Sequence, residues 1–350
     1  MRIAYCTSHI SPYMAACWRA MAARDDAQLR VVAWTPGVGL APFTGDLMES
    51  VDHVFIDKDD PAFARKANEA VDEFAPDICI VGGWLNPAYR DMAVRRAAGA
   101  RYYMAIDTPF KWNLRQRLGR YRYRAFYKSL DGVICTGERS SQLARVLGFP
   151  DAMVHRGMYG VDVEHWSHVA QRRRALDEWP RRFLYIGRLT ERKGMDILID
   201  AYTRYRRAVD EPWPLTVCGK GPFEDQLQAT EGVDFRGFVQ PTDLPDIKLN
   251  AGCLLLPARL DSWPLVVVES CAAGLPVVCS TSCGSLVELI REYYNGITFD
   301  VERTDHLTRA MMWMHDHHDR LPEMGARGVD LARPYSAEMW AERHVQWFRA

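Results

Sequence analysis

The chain alternates short apolar segments with longer amphipathic segments, and it does so in two successive series. The expected strands are residues 2–6, 29–34, 53–57, 77–81, 101–106 and 132–136, then 182–187, 214–219, 233–237, 253–257, 275–280 and 296–299. Helices are expected between them, for example at 61–74, 87–98, 138–147, 193–209, 222–229, 264–273 and 284–291. Strands that alternate with helices form parallel sheets covered by helices. The sequence therefore predicts an α/β protein of two doubly wound, Rossmann-like domains that face each other across a cleft.

The length of the chain also favours two domains, because 350 residues are many for one hydrophobic core. The two series meet at the polar, basic stretch QRRRALDEWPRR, residues 171–182. We therefore expect an N-terminal domain at 1–170 and a C-terminal domain at 171–335. The last segment, 336–350, follows the second series, and we expect its helix to pack back on the N-terminal domain.

The composition is that of an ordinary globular protein, with 48% apolar residues, 25% charged residues and a net charge of −1. This charge balance argues against nucleic acid as a partner. No apolar run is long enough for a spanning helix or a signal peptide. Nine cysteines lie scattered without a disulfide-like or zinc-like framework, which favours a reducing, cytoplasmic setting.

The stretch RLDSWPLVVVESCAAGLPVV, residues 259–278, places a carboxylate on each side of an apolar run. The pattern predicts a helix with Ser262 as its N-cap, Pro264 in its first turn and Gly274 at the left-handed position after its end. Asp261 then lies in the loop before the helix and Glu269 lies inside it. A helix N-terminus carries unpaired N–H groups and partial positive charge, so this one could bind an anionic group between the two carboxylates.

Two further segments of the second series suit a phosphate-containing ligand. GRLTERKG, residues 187–194, places Arg188 and Lys193 just after a strand, where they could hold a diphosphate or form a solvated basic loop. CGKGPFEDQL, residues 218–227, contains Gly219 and Gly221 but not the third glycine of a dinucleotide fingerprint, so a nicotinamide cofactor is not expected.

The motifs GRLTERKG, GKGP, VDFRGFV, the D-x7-E segment, CGSLVELI and NG occur in this order over residues 182–300. In this order they resemble the retaining GT-B glycosyltransferases of family 4, the glycosyl transferases group 1. The resemblance extends more weakly to YGVD at 159–162. It implies a metal-independent, cofactor-free, hexosyltransferase-like enzyme that moves a sugar from a nucleotide-diphospho-sugar, most readily a UDP- or GDP-sugar, to a hydroxyl acceptor. That acceptor would be a glycan or a lipid-linked glycan in polysaccharide or glycolipid biosynthesis.

The resemblance also implies roles for individual residues. Asp261, where the family usually has Glu, would contact the donor sugar, and Glu269 would bind the ribose hydroxyls. Arg188 and Lys193 would hold the diphosphate against the helix N-terminus. The remaining expected contacts to the nucleotide are Gly187, Gly219, Gly221, Phe238, Val239, Ser262, Trp263, Pro264 and Leu265. Two alternatives stay open. The protein could catalyse another GT-B reaction, such as sugar-nucleotide epimerisation, or it could bind nucleotide sugars without catalysis.

The first domain offers fewer signals. Its first strand leads into TSHISPYM, residues 7–14, which lacks the Gly-Gly loop of many relatives. Asp107 follows the strand at 101–106 and is the candidate acceptor-side residue, with the cap of the next helix as the alternative. Gly82, Gly83 and Trp84 follow another strand and could line the same edge.

Residues 111–128, KWNLRQRLGRYRYRAFYK, carry seven Lys or Arg and no acid, with aromatic residues between them. On a helix they form a basic amphipathic surface, which suits anionic lipid headgroups on the inner face of a membrane, a phosphorylated acceptor, or a solvated face. DKDD at 57–60 and HDHHD at 315–319 contain metal-ligating residue types, but neither is expected to bind a metal.

Overall fold

The computed structural model describes residues 1–36 and 47–349. Its strands are β1 (Arg2–Thr7), β2 (Gln28–Trp34), β3 (Asp52–Ile56), β4 (Ile78–Gly82), β5 (Arg101–Ile106), β6 (Gly132–Cys135), β7 (Val154–Arg156), β8 (Phe183–Ile186), β9 (Leu215–Cys218), β10 (Val233–Gly237), β11 (Cys253–Leu256), β12 (Val277–Ser280) and β13 (Gly296–Phe299). Its α-helices are α1 (Pro12–Ala22), α2 (Phe63–Phe74), α3 (Pro87–Arg95), α4 (Leu114–Arg122), α5 (Arg124–Ser129), α6 (Glu138–Leu147), α7 (Val163–Arg174), α8 (Met195–Ala208), α9 (Glu224–Gln228), α10 (Leu244–Leu249), α11 (Leu265–Ala272), α12 (Leu286–Leu289), α13 (His306–Asp316), α14 (Leu321–Ala332) and α15 (Ala337–Arg349).

The chain divides into two compact units. Unit 1 comprises Met1–Asp162 and Tyr335–Ala350, and unit 2 comprises Val163–Pro334. Among the described residues, unit 1 contains a seven-stranded sheet in the order β3-β2-β1-β4-β5-β6-β7, and unit 2 a six-stranded sheet in the order β10-β9-β8-β11-β12-β13. The paired strands are parallel throughout. In each unit the strand order reverses direction beside the first strand, which is the doubly wound, Rossmann-like arrangement.

The twelve expected strands are all present, with ends that differ from the expected ones by at most two residues. They were recognisable because parallel strands are buried on both faces and therefore read as continuous apolar runs. Strand β7 was not predicted. Its residues Val154, His155 and Arg156 form the outer edge of the unit 1 sheet and stay partly exposed, so they carry no apolar run.

The division between the units falls at Asp162–Val163, earlier than the polar joint at 171–182. The reason lies in α7, whose Arg173 is buried in unit 2. The Arg173 guanidinium donates hydrogen bonds to the backbone carbonyls of Ala251, Ala273 and Lys248. Because a buried guanidinium needs all its N–H groups satisfied, these bonds fix α7 to unit 2.

Helix α15 lies in unit 1, where it packs against α1 and the sheet. Its residues Trp340, Val345 and Phe348 belong to the same buried cluster as Trp18 of α1. Arg24 adds an ion pair to Glu342, with an N–O distance of 2.7 Å. The C-terminal helix thus completes one face of the unit 1 sheet. All nine cysteines are buried and free.

Candidate functional site

Helix α11 begins where the carboxyl end of β11 turns into the loop 257–264. The prediction of its start was wrong in detail. Pro264 occupies the N-cap position, the first helical residue is Leu265, and the Ser262 side chain makes no capping bond. The end was predicted correctly, because Gly274 follows the helix with a left-handed φ of 68°. Leu275 N–H then donates to the Ser270 carbonyl at 2.8 Å, which closes the turn into β12.

The loop that carries Asp261 is held in place by a backbone hydrogen bond to Gly284 and by a side-chain ion pair of Arg259. On one side, Gly284 N–H donates to the Asp261 carbonyl at 2.9 Å. A Cβ at Gly284 would lie 1.7 Å from the Ser262 carbonyl oxygen, so only glycine permits this approach. On the other side, the Arg259 guanidinium binds the Asp196 carboxylate through Nη1 and Nη2, at 2.5 and 2.6 Å. The Asp261 side chain therefore projects from a fixed backbone.

Asp261 and Lys193, both predicted for the site, form an ion pair between Asp261 Oδ2 and Lys193 Nζ. The two side chains are only 16% and 17% exposed. Lys193 ends a 3-10 turn, Glu191–Lys193, that follows β8, whereas Asp261 follows the neighbouring strand β11. The parallel sheet thus brings together two residues that are 68 positions apart in the chain.

Arg188 is exposed, and across residues 1–36 and 47–349 its guanidinium makes no ion pair. Its backbone carbonyl accepts a hydrogen bond from the Tyr185 hydroxyl at 2.9 Å. Burial raises the pKa of Tyr185, and the Asp261 carboxylate raises it further. Arg188 is therefore a cation with a fixed backbone and a side chain available to an anion.

Glu269 has a partner that the sequence did not predict. Lys248, from α10, is fully buried, and its Nζ lies 3.1 Å from Glu269 Oε2. The same Nζ lies 3.9 Å from the centroid of the Trp166 ring on α7. Burial lowers the pKa of Lys248, and Glu269 opposes that shift. The Glu269 side chain itself stays 22% exposed, and Lys248 holds one of its two carboxylate oxygens.

The predicted glycines bring two loops together. Gly219, with φ of 151°, accepts no side chain, because a Cβ would lie 1.8 Å from the Gly187 carbonyl oxygen. A Cβ at Gly221 would likewise lie 2.3 Å from the Leu189 carbonyl oxygen. The Gly221 N–H donates a hydrogen bond to Glu224 Oε1. These residues therefore shape the loops after β8 and β9, and the structure gives each a packing reason to be glycine.

The other expected nucleotide contacts lie in the same unit. Phe238 and Val239 follow β10 and are half-buried, Trp263 is buried, and Leu265 opens α11. In the doubly wound fold, ligands bind outside the carboxyl ends of the strands. The loops after β8, β9, β10 and β11 supply the predicted residues of unit 2 at that edge.

In unit 1, Asp107 follows β5, and Asp107 Oδ2 accepts a hydrogen bond from the Tyr159 hydroxyl at 3.4 Å. The alternative role as a helix cap is wrong, because Asn113 caps α4 by accepting the Gln116 N–H at 2.9 Å. At the strand-order reversal of the same sheet, between β1 and β4, lies a hollow of about 720 Å³. Its lining includes His9, Trp34, Lys58 and Gly82.

The two acidic or histidine-rich segments have partners within the protein. Asp60 of DKDD forms an ion pair with Lys66 at 2.6 Å. His315 Nδ1 of HDHHD and the Tyr205 hydroxyl share a hydrogen bond of 2.7 Å. Over the residues described, no group of three or more His, Cys, Asp and Glu has an arrangement that could hold a metal ion. The same part of the chain contains no helix with the length and apolarity to cross a membrane.

Comparison with known proteins gives a family match over part of the chain. The family model described as "Glycosyl transferases group 1" matches residues 167–328. Glycogen synthase of Mycobacterium tuberculosis is 28% identical over 173 residues, 47% of this chain and 41% of the relative. A GDP-mannose-dependent alpha-(1-6)-phosphatidylinositol monomannoside mannosyltransferase of the same species is 29% identical over 157 residues, 41% and 40% of the two chains. The chain thus spans less than half the length of these curated relatives.

Solved structures resemble the whole chain. Anabaena Alr3699/HepE in complex with UDP superimposes with a TM-score of 0.76 at 15% identity, covering 99% of both chains. Sucrose-phosphate synthase from Thermosynechococcus elongatus has the same TM-score at 16% identity, covering 99% and 98%. At such identities the likeness establishes the fold. The chain therefore has the fold of the GT-B glycosyltransferases, and residues 167–328 of its unit 2 match the glycosyl transferases group 1 family.

Proposed function

We propose that this protein is a retaining glycosyltransferase of family 4 that takes its sugar from a nucleotide-diphospho-sugar. The observation that carries the proposal is the Lys193–Asp261 ion pair, with Arg188 on the loop that leads to it, at the strand ends of the unit that matches the family model. A diphosphate needs cations, and a sugar needs a fixed hydrogen-bond acceptor. Both are present on neighbouring strands of one sheet.

In the proposed complex the diphosphate replaces Asp261 as the partner of Lys193. Arg188 and the first-turn N–H groups of α11 complete its charge neutralisation, and Asp261 then accepts hydrogen bonds from the donor sugar. Glu269, held by Lys248, accepts hydrogen bonds from the ribose hydroxyls. This exchange of one anion for another keeps the largely buried Lys193 ammonium group paired in both states.

During transfer the bond between the sugar anomeric carbon and the diphosphate oxygen breaks, and a bond to the acceptor oxygen forms. The charge that develops on the departing diphosphate is stabilised by preorganised cations and N–H groups, an effect worth several kcal/mol in enzymes. The resemblance implies a front-face course, in which the acceptor hydroxyl proton passes to a departing phosphate oxygen. No metal or other cofactor takes part in this proposal.

The donor class and the acceptor are part of the proposal. HepE binds UDP and UDP-glucose in its solved complexes, and one relative is described as GDP-mannose-dependent, so UDP- and GDP-sugars are the first candidates. A glycan or lipid-linked acceptor fits the hollow at the strand-order reversal of unit 1, where the Trp34 ring offers a stacking surface and Lys58 a cation. Asp107 is the proposed polar group on the acceptor side.

The test is transfer of labelled sugar from UDP- and GDP-sugars to glycan and lipid extracts, comparing wild type with Asp261→Asn. We expect the variant to transfer at least about 100-fold more slowly while its nucleotide affinity changes little. Asp200→Asn, an exposed aspartate of α8 paired with Arg204, is the matched control.

Two results would contradict the proposal. Nucleotide binding without transfer from any donor would indicate a nucleotide-sugar-binding protein. Conversion of the donor to an isomeric sugar nucleotide without an acceptor would indicate an epimerase.

A further inference from the structure

Helix α4 presents an apolar stripe to solvent. Leu114, Leu118 and Tyr121 are 73%, 60% and 60% exposed, and Trp112, just before the helix, is 75% exposed. At about 100° per residue the three helical side chains fall within an arc of about 60°, so they form one continuous stripe. No residue of α4 is buried. We call these four residues together with the cations of 111–128 the α4 surface.

The orientation of α4 is the reverse of the usual one for a surface helix, which turns its apolar stripe inward. The residues that face the protein are Gln116, Gly119 and Tyr123, the half-buried positions of the segment. A Cβ at Gly119 would lie 3.6 Å from the Leu147 side chain of α6, and Gln116 donates to the Pro109 carbonyl at 2.9 Å. The helix is thus anchored by its small and polar side, and its leucines are left outward by the packing itself.

The cations of the α4 surface lack acidic partners. Across the described ranges, no carboxylate forms an ion pair with Lys111, Arg115, Arg117, Arg120, Arg122, Arg124 or Lys128. Other arginines of unit 1 do pair, for example Arg96 with Asp131 and Arg145 with Asp151. Arg120 instead lies 4.6 Å from the Tyr121 ring centroid. The surface therefore carries uncompensated positive charge beside the apolar stripe.

We propose that the α4 surface docks on a membrane that contains anionic lipids. Apolar side chains in a narrow stripe, with arginines on both sides, match the boundary between acyl chains and negatively charged headgroups. A soluble phosphorylated ligand would require the cations but would leave Leu114, Leu118 and Trp112 without a role. Docking does not depend on the proposed glycosyl transfer, so each can fail without the other.

Docking would also specify the acceptor class, an extension that rests on the proposed function. A groove of about 760 Å³ runs alongside α4, and its lining includes Leu118 and Arg115 together with Trp84 and Thr108, which follow β4 and β5. A chain that leaves the membrane beside α4 would reach these strand ends directly. The extension therefore predicts an acceptor carried on a lipid.

The experiment is co-sedimentation of the full chain with vesicles of phosphatidylcholine containing about 30% phosphatidylglycerol, and with vesicles of phosphatidylcholine alone. One variant, Arg115→Glu with Arg122→Glu, removes flanking charge. A second, Leu114→Ser with Leu118→Ser, removes the stripe. The control is Arg207→Glu with Met339→Ser, an exposed arginine and an exposed methionine outside the α4 surface. Since all the altered side chains are exposed, unfolding midpoints should stay near wild type.

We expect wild type and control to bind the anionic vesicles and to bind the neutral ones weakly. Each cation near the surface contributes about fivefold in affinity, so the charge variant should bind at least about 25-fold more weakly. The leucine variant should lose about tenfold or more. Equal binding of the two variants and the control would overturn the proposal. So would the absence of vesicle binding, including the case in which inorganic phosphate binds this surface instead.

Discussion

The Lys248–Glu269 pair offers the sharpest test of the site's internal electrostatics. Lys248 is fully buried, and its ammonium group has two close partners, Glu269 Oε2 at 3.1 Å and the Trp166 ring at 3.9 Å. Replacing Glu269 with Gln removes the only one of these that carries a full negative charge. A buried ion that loses its partner typically costs about 3–5 kcal/mol of folding free energy.

A loss of this size in the free energy of unfolding lowers Tm by an amount that calorimetry resolves. For a unit of this size, each 1 kcal/mol lowers Tm by roughly 2–4 °C, so Glu269→Gln should lower the transition of unit 2 by roughly 6–20 °C. Adding Lys248→Met removes the buried charge and fills its space, and it should restore most of the loss. Glu231→Gln, whose side chain is 88% exposed and pairs with Arg206, is the matched control and should change stability by less than about 0.5 kcal/mol.

The double-mutant cycle measures directly whether Lys248 and Glu269 interact. If Lys248 and Glu269 are coupled as the structure indicates, the double variant will be markedly more stable than the sum of the single variants predicts. Strictly additive effects, or a Glu269→Gln loss below about 1 kcal/mol, would show that Glu269 does not hold the buried charge. The cycle also matters for ligand studies, because a nucleotide-binding defect of a Glu269 variant must be measured below its lowered Tm.

Three further predictions concern stability. Burial lowers the pKa of His344 to about 3, so the unfolded chain takes up a proton below about pH 6.5 that the folded chain does not. Between pH 6.5 and pH 5, the free energy of unfolding of the wild type should therefore fall by about 2 kcal/mol more than that of His344→Phe. Urea midpoints that fall equally in both proteins would contradict this. Gly219→Ala should lower the free energy of unfolding by at least about 2 kcal/mol, because the added Cβ meets the Gly187 carbonyl oxygen. Gly99 also has a positive φ, but nothing lies within 4 Å of its added Cβ, so Gly99→Ala should cost only about 1 kcal/mol. Equal shifts in Tm for the two variants would show that the contact at Gly219 has no effect. Asn113→Ala should cost about 1 kcal/mol through loss of the α4 cap, and an unchanged denaturation midpoint would show that the cap contributes nothing.

The fold was largely predictable because its signals are local. A buried parallel strand is a run of apolar residues, and a left-handed turn after a helix favours glycine, as at Gly274. The start of α11 was predicted less well, since a Ser two positions before a Pro resembles a capping sequence. The structure instead uses the Asp261–Gly284 backbone contact to orient the loop, and nothing in the local sequence reports that contact.

The candidate site was predictable only in part, for a related reason. Arg188, Lys193 and Asp261 follow strands, where a doubly wound fold places ligand-binding groups, and Glu269 lies in the helix that comes next. Lys248 was missed because its segment, LPDIKLN, has the composition of an exposed helix. Its burial depends on Trp166 and Glu269, which are distant in sequence. Buried ion pairs between separate elements leave no periodic pattern, so sequence reasoning has no signal with which to find them.

The proposed activity requires a nucleotide-diphosphate site in unit 2 built around Arg188 and Lys193. The most direct measurement is titration calorimetry of the wild type and of Arg188→Gln with UDP, GDP, ADP, TDP and CMP, with Arg207→Gln as a control on an exposed arginine of α8. We expect a nucleoside diphosphate to bind the wild type and the control alike. It should bind Arg188→Gln about tenfold or more weakly, since a charged hydrogen bond contributes about 1.5–3 kcal/mol. Equal affinity in all three proteins, or no binding by any nucleotide, would contradict it.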